Sequence, residues 1–238
     1  MRRHEEVDPL RVAELRDRIA TERIQMNPVI CMEADERFVV LDGASRTEAV
    51  RSLGLSHIVV QPVDPATVTL ETWHHVIRDC PPQQVVERIR AVPSILLSEE
   101  EGKPQVTTVD GERFSVLGMD MSPNTTLNAL VDSYIGQWLT SRIIDPHPGT
   151  VTTRFPDWSV IVEFPAVRVE DVVKAALGAD LLPAGVTRFL VPERVLRLSA
   201  PIELLESGDQ EALDRLIDER SAGGRVRRYE ETVVILDD

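Results

Sequence analysis

An apolar strand that runs directly into a glycine turn and a helix is the feature that most constrains the fold of this chain. The segment reads Val39-Val40-Leu41-Asp42-Gly43-Ala44-Ser45-Arg46-Thr47-Glu48-Ala49. Its apolar start favours a buried strand, and Gly43 allows a sharp turn because glycine adopts positive φ angles freely. Ser45 and Glu48 have the spacing of a capping box, which predicts that the helix begins at Ser45.

The flanking residues extend this segment into a β-β-α-β unit over residues 27–62. Its predicted elements are strands at 29–32, 38–41 and 58–62, a charged turn at 33–37, and a helix at 46–53 that Gly54 closes. Upstream, Asp8 and Pro9 have the positions of the N-cap and first-turn proline of another helix. We therefore expect a compact α/β lobe over residues 1–65, ending in a proline-containing linker.

The remaining residues, 66–238, predict a larger α/β lobe. Its predicted elements are helices at 83–92, 123–139, 169–177 and 209–219, a hairpin of 106–109 with 114–117 around Asp110-Gly111, a loop at 145–149, and strands at 159–164 and 226–236. The expected fold class is therefore α/β (α+β) with two lobes.

Composition argues against several functional classes. The 238 residues include 26 basic and 40 acidic side chains, and the net charge of −14 repels nucleic-acid phosphates and anionic membrane surfaces. No apolar run approaches the ~18 residues of a membrane-spanning helix, and no secretory signal is recognisable. Cys31 and Cys80 are typical of free thiols in a reducing compartment. We expect a cytoplasmic protein that binds neither nucleic acid nor membrane.

The strand–turn–helix segment has two interpretations from its residues alone. Backbone N–H groups at a helix N-terminus favour an anion, most naturally a phosphate, and Arg46 can add a charge-assisted contact. The other interpretation is a plain corner in which the glycine serves only the turn.

Three further segments have equally open interpretations. Glu5 and Glu6 precede a helix, where glutamates commonly just complement the helix dipole. Trp73-His74-His75 is either a functional cluster or a buried tryptophan with two surface histidines; adjacent histidines point in different directions, which disfavours a shared metal ion. Residues 183–189 form either a hairpin corner or a carboxylate site through Thr187 and Arg188.

A basic cluster near the end of the chain completes the set of candidate segments. It consists of Arg225, Arg227 and Arg228, which alternate around Val226. This spacing is typical of the solvent face of a strand, and three charges are a poor platform for nucleic acid.

Taken together, these segments resemble a known family. Residues 40–46 followed by Leu53-Gly54 resemble the D-G-x-x-R signature of ParB/sulfiredoxin-like folds. Three more motifs resemble those of the free L-serine kinases of that superfamily. They are His4-Glu5 with Asp8-Pro9-Leu10-Arg11, Thr72-Trp73-x-His75, and Pro183-Ala184-Gly185-Val186-Thr187-Arg188-Phe189 with Arg194. The resemblance spans nearly the whole chain and is stronger to the ATP-using enzymes of the staphyloferrin B siderophore pathway than to the ADP-dependent archaeal branch.

The resemblance implies a reaction and a set of site residues. The reaction is phosphoryl transfer from ATP or ADP, with Mg²⁺, to the hydroxyl of free L-serine, giving O-phospho-L-serine as a biosynthetic precursor. The implied catalytic residues are Glu5, as the base, and Asp42. The implied phosphate-binding residues are Gly43, Ala44, Ser45, Arg46 and Thr47, and the implied serine-site residues are Trp73, His75, Thr187 and Arg188. No metal ligands can be named.

Three departures from the family pattern bear on these expectations. Only three residues precede His4, so we expect the edge strand of the small lobe to be missing or to lie upstream. Phe189 replaces a histidine of the archaeal branch. Ala44-Ser45 stands where relatives often have a histidine before the arginine, which bears on nucleotide preference.

Other functions stay open at this stage. The alternative is a ParB-like, nucleotide-responsive regulator that binds DNA or a partner protein without kinase activity, and a nuclease of the same fold is a third option. The acidic charge disfavours the regulator, and the lack of a metal-ligand cluster in the sequence disfavours the nuclease. The oligomeric state is open, with a dimer among the options.

Overall fold

The first lobe of the protein is a four-stranded sheet with two helices. This computed structural model describes residues 1–222. The elements of the lobe are β1 (Arg2–Arg3), α1 (Pro9–Glu22), β2 (Ile24–Gln25), β3 (Val29–Ala34), β4 (Arg37–Asp42), α2 (Ala44–Ser52) and β5 (Val60–Pro62). The sheet has the order β1-β4-β3-β5, and only the β3–β4 pair is antiparallel. The predicted β-β-α-β unit is confirmed, because β3, β4, α2 and β5 follow one another within residues 27–62.

The edge strand of this lobe is present, contrary to expectation. Arg2 and Arg3 pair in parallel with Val39 and Val40. β1 is an edge strand and pairs only with β4.

The helix after the glycine turn begins one residue earlier than predicted, and the predicted capping box is wrong. Gly43 is the N-cap of α2, with φ 100° and no side-chain cap, so Ser45 lies inside the helix. Glu48 instead pairs with Arg51 of the same helix and with Arg3. The N-cap predicted for α1 is confirmed, because the side chain of Asp8 accepts a hydrogen bond from the N–H of Leu10.

The second lobe is built on a six-stranded antiparallel sheet with the order β11-β7-β12-β9-β10-β8. Its elements are a 3₁₀ turn (Pro65–Thr67), β6 (Thr69–Thr72), β7 (His74–Arg78), α3 (Pro82–Arg90), β8 (Ile95–Ser98), β9 (Gln105–Thr108), β10 (Arg113–Gly118), α4 (Pro123–Tyr134), β11 (Leu139–Ile143), α5 (Pro148–Arg154), β12 (Trp158–Glu163), α6 (Val169–Gly178) and β13 (Thr187–Leu190). Three elements follow it and pack against the first lobe: β14 (Ala200–Pro201), α7 (Ile202–Ser207) and α8 (Gln210–Ser221). Helices α3, α4 and α6 contribute apolar side chains to the main core, whereas α5 covers a smaller cluster around Val76 and Ile161.

Two predictions for this lobe are wrong. The helix predicted at 123–139 ends at Tyr134, because Ile135 is extended and Gly136 has a φ of 72°, and Leu139 then starts β11. The loop predicted at 145–149 leads into α5, for which His147 is the N-cap. The strand predicted at 226–236 and the cluster of Arg225, Arg227 and Arg228 lie outside the described residues.

The two lobes share one core. Ile30, Met32 and Leu41 of the first lobe pack in the same cluster as the second-lobe helices. Residues 198–205 return to the first lobe, where β14 pairs antiparallel with β2. The junction between the lobes therefore has a fixed geometry, and the residues that line it come from distant parts of the chain. No helix within residues 1–222 has the length and apolarity needed to cross a bilayer.

Candidate active site

The His4-Glu5 pair is bound to the second lobe by its backbone. Glu5 forms an isolated parallel bridge with Leu182. The N–H of Leu182 donates to the carbonyl of His4 at 2.9 Å, and the N–H of Glu6 donates to the carbonyl of Leu182 at 2.8 Å. This pairing places the Glu5 carboxylate beside the 183–189 segment, where the N–H of Gly185 donates to Glu5 Oε2 at 3.1 Å. Two of the predicted segments thus meet although they are about 180 positions apart in the sequence.

Glu5 has the electrostatic surroundings of a proton acceptor. Burial raises the pKa of its carboxyl above the ordinary value, while the charge of His4, the Gly185 N–H and the charge of Arg142 lower it and the charge of Asp42 raises it. A carboxylate with a raised pKa binds a proton more readily near neutral pH than an ordinary glutamate does. These surroundings make Glu5 the candidate general base of the site.

His4 is fully buried and joins the two lobes through its side chain. Its Nδ1 lies 2.6 Å from the carbonyl oxygen of Val40, and its Nε2 lies 2.9 Å from Thr187 Oγ1. A carbonyl oxygen only accepts, so Nδ1 carries the proton and, in the neutral ring, the Thr187 hydroxyl donates to Nε2. The lone pairs of Thr187 Oγ1 then remain available to a donor from a ligand. His4 belongs to the His4-Glu5 motif of the sequence, but no role was predicted for its side chain.

The turn after β4 leads into a helix start with free backbone N–H groups. The first backbone bond of α2 runs from the N–H of Thr47 to the carbonyl of Gly43, so the N–H groups of residues 44–46 precede it and have no partner within the helix. The Thr47 hydroxyl donates to the same carbonyl at 3.0 Å, and both Thr47 and Ala44 are buried. Thr47 therefore closes the first turn, and the turn presents backbone N–H groups from Ala44, Ser45 and Arg46.

Two arginines flank this turn and share one carboxylate. Arg46 Nη2 donates to Asp42 Oδ2 at 2.9 Å, and Arg194 Nη2 contacts the same oxygen. The Arg46 guanidinium lies across Gly43, where a Cβ would come within 2.7 Å of Nη2, and its Nε is buried without a partner. Two positive charges against one negative charge leave the turn with net positive charge, which suits phosphate. Arg194 follows the 183–189 motif in the sequence, but no role was predicted for it.

Thr187 and Arg188 do not act together in this arrangement. They are neighbours in β13, so their side chains point to opposite faces. Thr187 faces His4, whereas Arg188 Nη1 donates to Glu71 Oε2 at 3.1 Å and its Cζ lies 4.8 Å from the centre of the Trp73 ring. The N–H of Trp73 donates to the carbonyl of Val186 at 2.8 Å, which fixes Trp73 beside the 183–189 segment.

Both histidines of the 73–75 segment are buried, so the alternative of two surface histidines is wrong. His74 Nδ1 accepts the N–H of Phe164 at 3.1 Å. His75 Nδ1 lies 2.7 Å from the Tyr134 hydroxyl, its ring stands edge-on to Phe164, and its Nε2 is buried with no partner. The two rings therefore have different hydrogen-bond partners.

No known protein-family profile matches the chain. The chain is similar to the ATP-dependent L-serine kinase SbnI of Staphylococcus aureus, at 23% identity over 210 residues, which cover 87% of this chain and 81% of SbnI. The resemblance predicted from the motifs is confirmed.

Solved structures show the same fold. SbnI from Staphylococcus aureus, in a C-terminally truncated form, superposes with a TM-score of 0.71 at 20% identity and covers 93% of each chain. A free serine kinase in complex with AMP superposes with a TM-score of 0.74 at 14% identity, over 86% of this chain and 90% of that chain. The chain therefore has the mixed α/β fold of these proteins, as the sequence predicted.

A pH-dependent stability follows from the burial of His75. Its pKa is lowered to about 3, first by burial and then by the charge of Arg142. In the unfolded chain a histidine takes up a proton below pH ~6.5, whereas folded His75 stays neutral until pH falls to about 3. We expect the free energy of unfolding to fall with decreasing pH between these values, by up to about 1.4 kcal/mol per pH unit from this group.

Urea unfolding of wild-type protein and His75→Gln at pH 7, 6 and 5 measures this contribution. The variant is expected to be less stable at pH 7 but to lose less stability on acidification. His57→Gln, at an exposed histidine, is the matched control and should follow the wild-type slope. Equal pH slopes for His75→Gln and wild type would contradict the assignment.

Proposed function

We propose that this protein is a free L-serine kinase that transfers a phosphoryl group from a nucleotide to the serine hydroxyl and releases O-phospho-L-serine. The observation that carries the proposal is the position of Glu5: a partly buried carboxylate, fixed by Gly185, beside an anion-binding helix start. Such a site has a proton acceptor and a phosphate-binding turn in reach of one another, which is what phosphoryl transfer to an alcohol requires. The similarity to SbnI supports the same activity.

Glu5 accepts the proton of the substrate hydroxyl in this reaction. The raised pKa matches this task, because a base works best when its pKa approaches the working pH. The hydroxyl oxygen of serine attacks the terminal phosphorus of the nucleotide. The bond between that phosphorus and the bridging oxygen breaks, the shortened nucleotide leaves with this oxygen, and the hydroxyl proton passes to Glu5.

The nucleotide phosphates bind at the start of α2. The N–H groups of Ala44, Ser45 and Arg46 point outward there, and Arg46 and Arg194 neutralise the phosphate charge. ATP is the proposed donor because SbnI is described as ATP-dependent, and ADP is the second candidate because a solved free serine kinase variant holds ADP.

Mg²⁺ is expected to accompany the nucleotide. No group of three or more His, Cys, Asp or Glu side chains within residues 1–222 could hold a metal ion. Mg²⁺ at nucleotide sites needs only one or two carboxylates beside the phosphates, and Asp42 is the carboxylate of the turn that would contact it. The ion would neutralise charge on the transferred phosphoryl group.

The serine lies between Trp73, Thr187 and His75 in this proposal. Thr187 Oγ1 accepts a hydrogen bond from the substrate ammonium, since its own proton is donated to His4. Trp73 supplies a wall for the small side chain, and Arg188 stacks on that ring and fixes it. His75 contributes its free Nε2.

A substrate panel tests the function directly. We expect purified protein with Mg²⁺ and ATP or ADP to convert L-serine to O-phospho-L-serine, identified by mass spectrometry. L-threonine should react poorly, and serine within a peptide should not react, because a site that hydrogen-bonds the free ammonium and carboxylate rejects substrates that lack them by up to ~10⁴–10⁵-fold. Phosphorylation of a peptide as fast as of free serine, or nucleotide binding without any serine-dependent turnover, would favour the regulator instead.

Substitution of Glu5 tests the base. Glu5→Gln should lower kcat by about 10²–10⁴-fold with little change in nucleotide affinity, because only the proton acceptor is lost. Glu6→Gln, at the adjacent exposed glutamate, is the control and should keep wild-type turnover.

The pH profile gives the same assignment a second readout. Glu5 acts only when deprotonated, and its pKa is raised, so wild-type kcat/KM should fall on acidification at a higher pH than an ordinary glutamate would cause. Any residual activity of Glu5→Gln should not show this fall of kcat/KM on acidification. A Glu5→Gln enzyme with near-normal turnover would move the base elsewhere.

Substitution of the two arginines tests the phosphate site. Arg46→Ala and Arg194→Ala should each weaken ATP and ADP binding by about 10- to 100-fold, the range for loss of a charge-assisted hydrogen bond. Arg51→Ala, on the same helix but exposed and paired with Glu48, is the matched control and should bind nucleotide normally. Calorimetric titration provides the measurement, and unchanged affinity in both test variants would place the phosphates elsewhere.

A further inference from the structure

Arg142 is an arginine of the site to which the sequence patterns assigned no role. It lies in β11 directly opposite His75 of β7, so the two side chains are on the same face of the sheet. Its guanidinium lies against the 183–189 segment at Gly185. A Cβ at Gly185 would come within 2.0 Å of Arg142 Nη2 and 2.4 Å of its Cζ, so the missing side chain of Gly185 is what gives the guanidinium its place.

Arg142 also differs from the other arginines of the site in having no partner. Arg46 and Arg194 share Asp42, and Arg188 pairs with Glu71. Among the side-chain hydrogen bonds and ion pairs of residues 1–222, none involves Arg142. It is close enough to the site to act on its charges, because it lowers the pKa of both Glu5 and His75. Packing around the guanidinium lowers the pKa of Arg142 itself, although the residue keeps an exposed surface through which a ligand can reach it.

A buried polar atom without a partner lies on the same face as Arg142. His75 Nε2 has no hydrogen-bond partner, and His75 is 1% exposed. When the Tyr134 hydroxyl donates to His75 Nδ1, the proton of the neutral ring is on Nε2, which then donates. Buried polar atoms are normally hydrogen-bonded, so this donor beside a guanidinium without an ion-pair partner points to a ligand that supplies acceptors. Arg142 can only donate, and a planar carboxylate is the group that a guanidinium binds best.

We propose that Arg142, and not Arg188, binds the α-carboxylate of the substrate amino acid, with His75 Nε2 as a second contact. This inference rests on the proposed function. A carboxylate held over Gly185 orients the substrate so that its hydroxymethyl group extends toward Glu5, which accepts the Gly185 N–H from the same loop. Gly185 thus serves the substrate and the base at once: its N–H fixes Glu5, and its lack of a side chain admits Arg142.

Analogues that lack the carboxylate charge test this role. The measurement is kcat/KM for L-serine, L-serinamide and ethanolamine, with wild type, Arg142→Ala and Arg142→Lys. Wild type should prefer L-serine over both analogues. Arg142→Ala should lower kcat/KM for L-serine by about 10- to 100-fold, mainly by raising KM. Its kcat/KM for the two analogues should stay within about threefold of the wild-type values, so the preference for L-serine is lost. Arg142→Lys should restore part of it.

Two controls separate this role from a structural one. Arg113→Ala removes an exposed arginine from β10 of the same sheet and should behave as wild type. In Arg142→Ala the acid limb of kcat/KM should move to higher pH, since the charge of Arg142 lowers the pKa of Glu5. A variant that was merely misfolded would lose activity on all three substrates alike.

The outcomes distinguish the inference from the function on which it rests. Retained preference for L-serine in Arg142→Ala, or an equal loss for serine and serinamide, would overturn the role of Arg142 and leave the kinase intact. Loss of the preference for L-serine in Arg188→Ala but not in Arg142→Ala would show that Arg188, not Arg142, binds the substrate carboxylate. Wild-type protein that neither phosphorylates L-serine nor binds it by calorimetry would overturn both.

Discussion

The site depends on the backbone pairing between His4-Glu5 and Leu182. Three residues after the start of the chain, the polypeptide leaves the edge of the first lobe and bonds to the second, and the His4 side chain bridges Val40 and Thr187. Each such bond contributes only about 1 kcal/mol net, but together they fix the base between the phosphate turn and the 183–189 segment. A base on a free terminal segment would lose conformational entropy each time it took up its catalytic position. Here the segment is already ordered in the folded protein, so this loss does not recur in each turnover.

The charge of the site is opposite to that of the chain. Net charge −14 disfavours binding to extended polyanions, yet four arginines converge on the junction: Arg46, Arg142, Arg188 and Arg194. Three of them pair with a carboxylate, and the two carboxylates have different surroundings. Glu71 holds Arg188 against Trp73 as part of the wall, whereas Asp42 is half-exposed and is shared by two arginines that anionic phosphates can also bind. A local positive field in an acidic protein favours small anions over nucleic acid.

Local patterns predicted most of the first lobe, because a buried strand, a glycine turn and an amphipathic helix are set by neighbouring residues. The end of α4 was harder, since apolar residues continue beyond Tyr134 and only the conformation of Ile135 and Gly136 ends the helix. The opposite orientation of Thr187 and Arg188 follows from strand alternation and could have been predicted. The positions of His4, Arg142 and Arg194 in the site could not be predicted, because tertiary packing brings their neighbours near and no spacing in the sequence indicates them.

The ion pairs of the site and the contacts of the proposed reaction are related by an exchange of partners. Within the protein, carboxylates face the arginines: Asp42 pairs with Arg46 and Arg194, and the charge of Arg142 acts on Glu5. In the proposed complex the nucleotide phosphates take Arg46 and Arg194, which frees Asp42 for Mg²⁺, and the substrate carboxylate takes Arg142. Neutralising Arg142 removes one influence that lowers the pKa of Glu5, so the base becomes stronger only when the amino acid is bound. Both catalytic carboxylates would therefore reach their working state through substrate binding, and a site with this arrangement would favour transfer to serine over transfer to water.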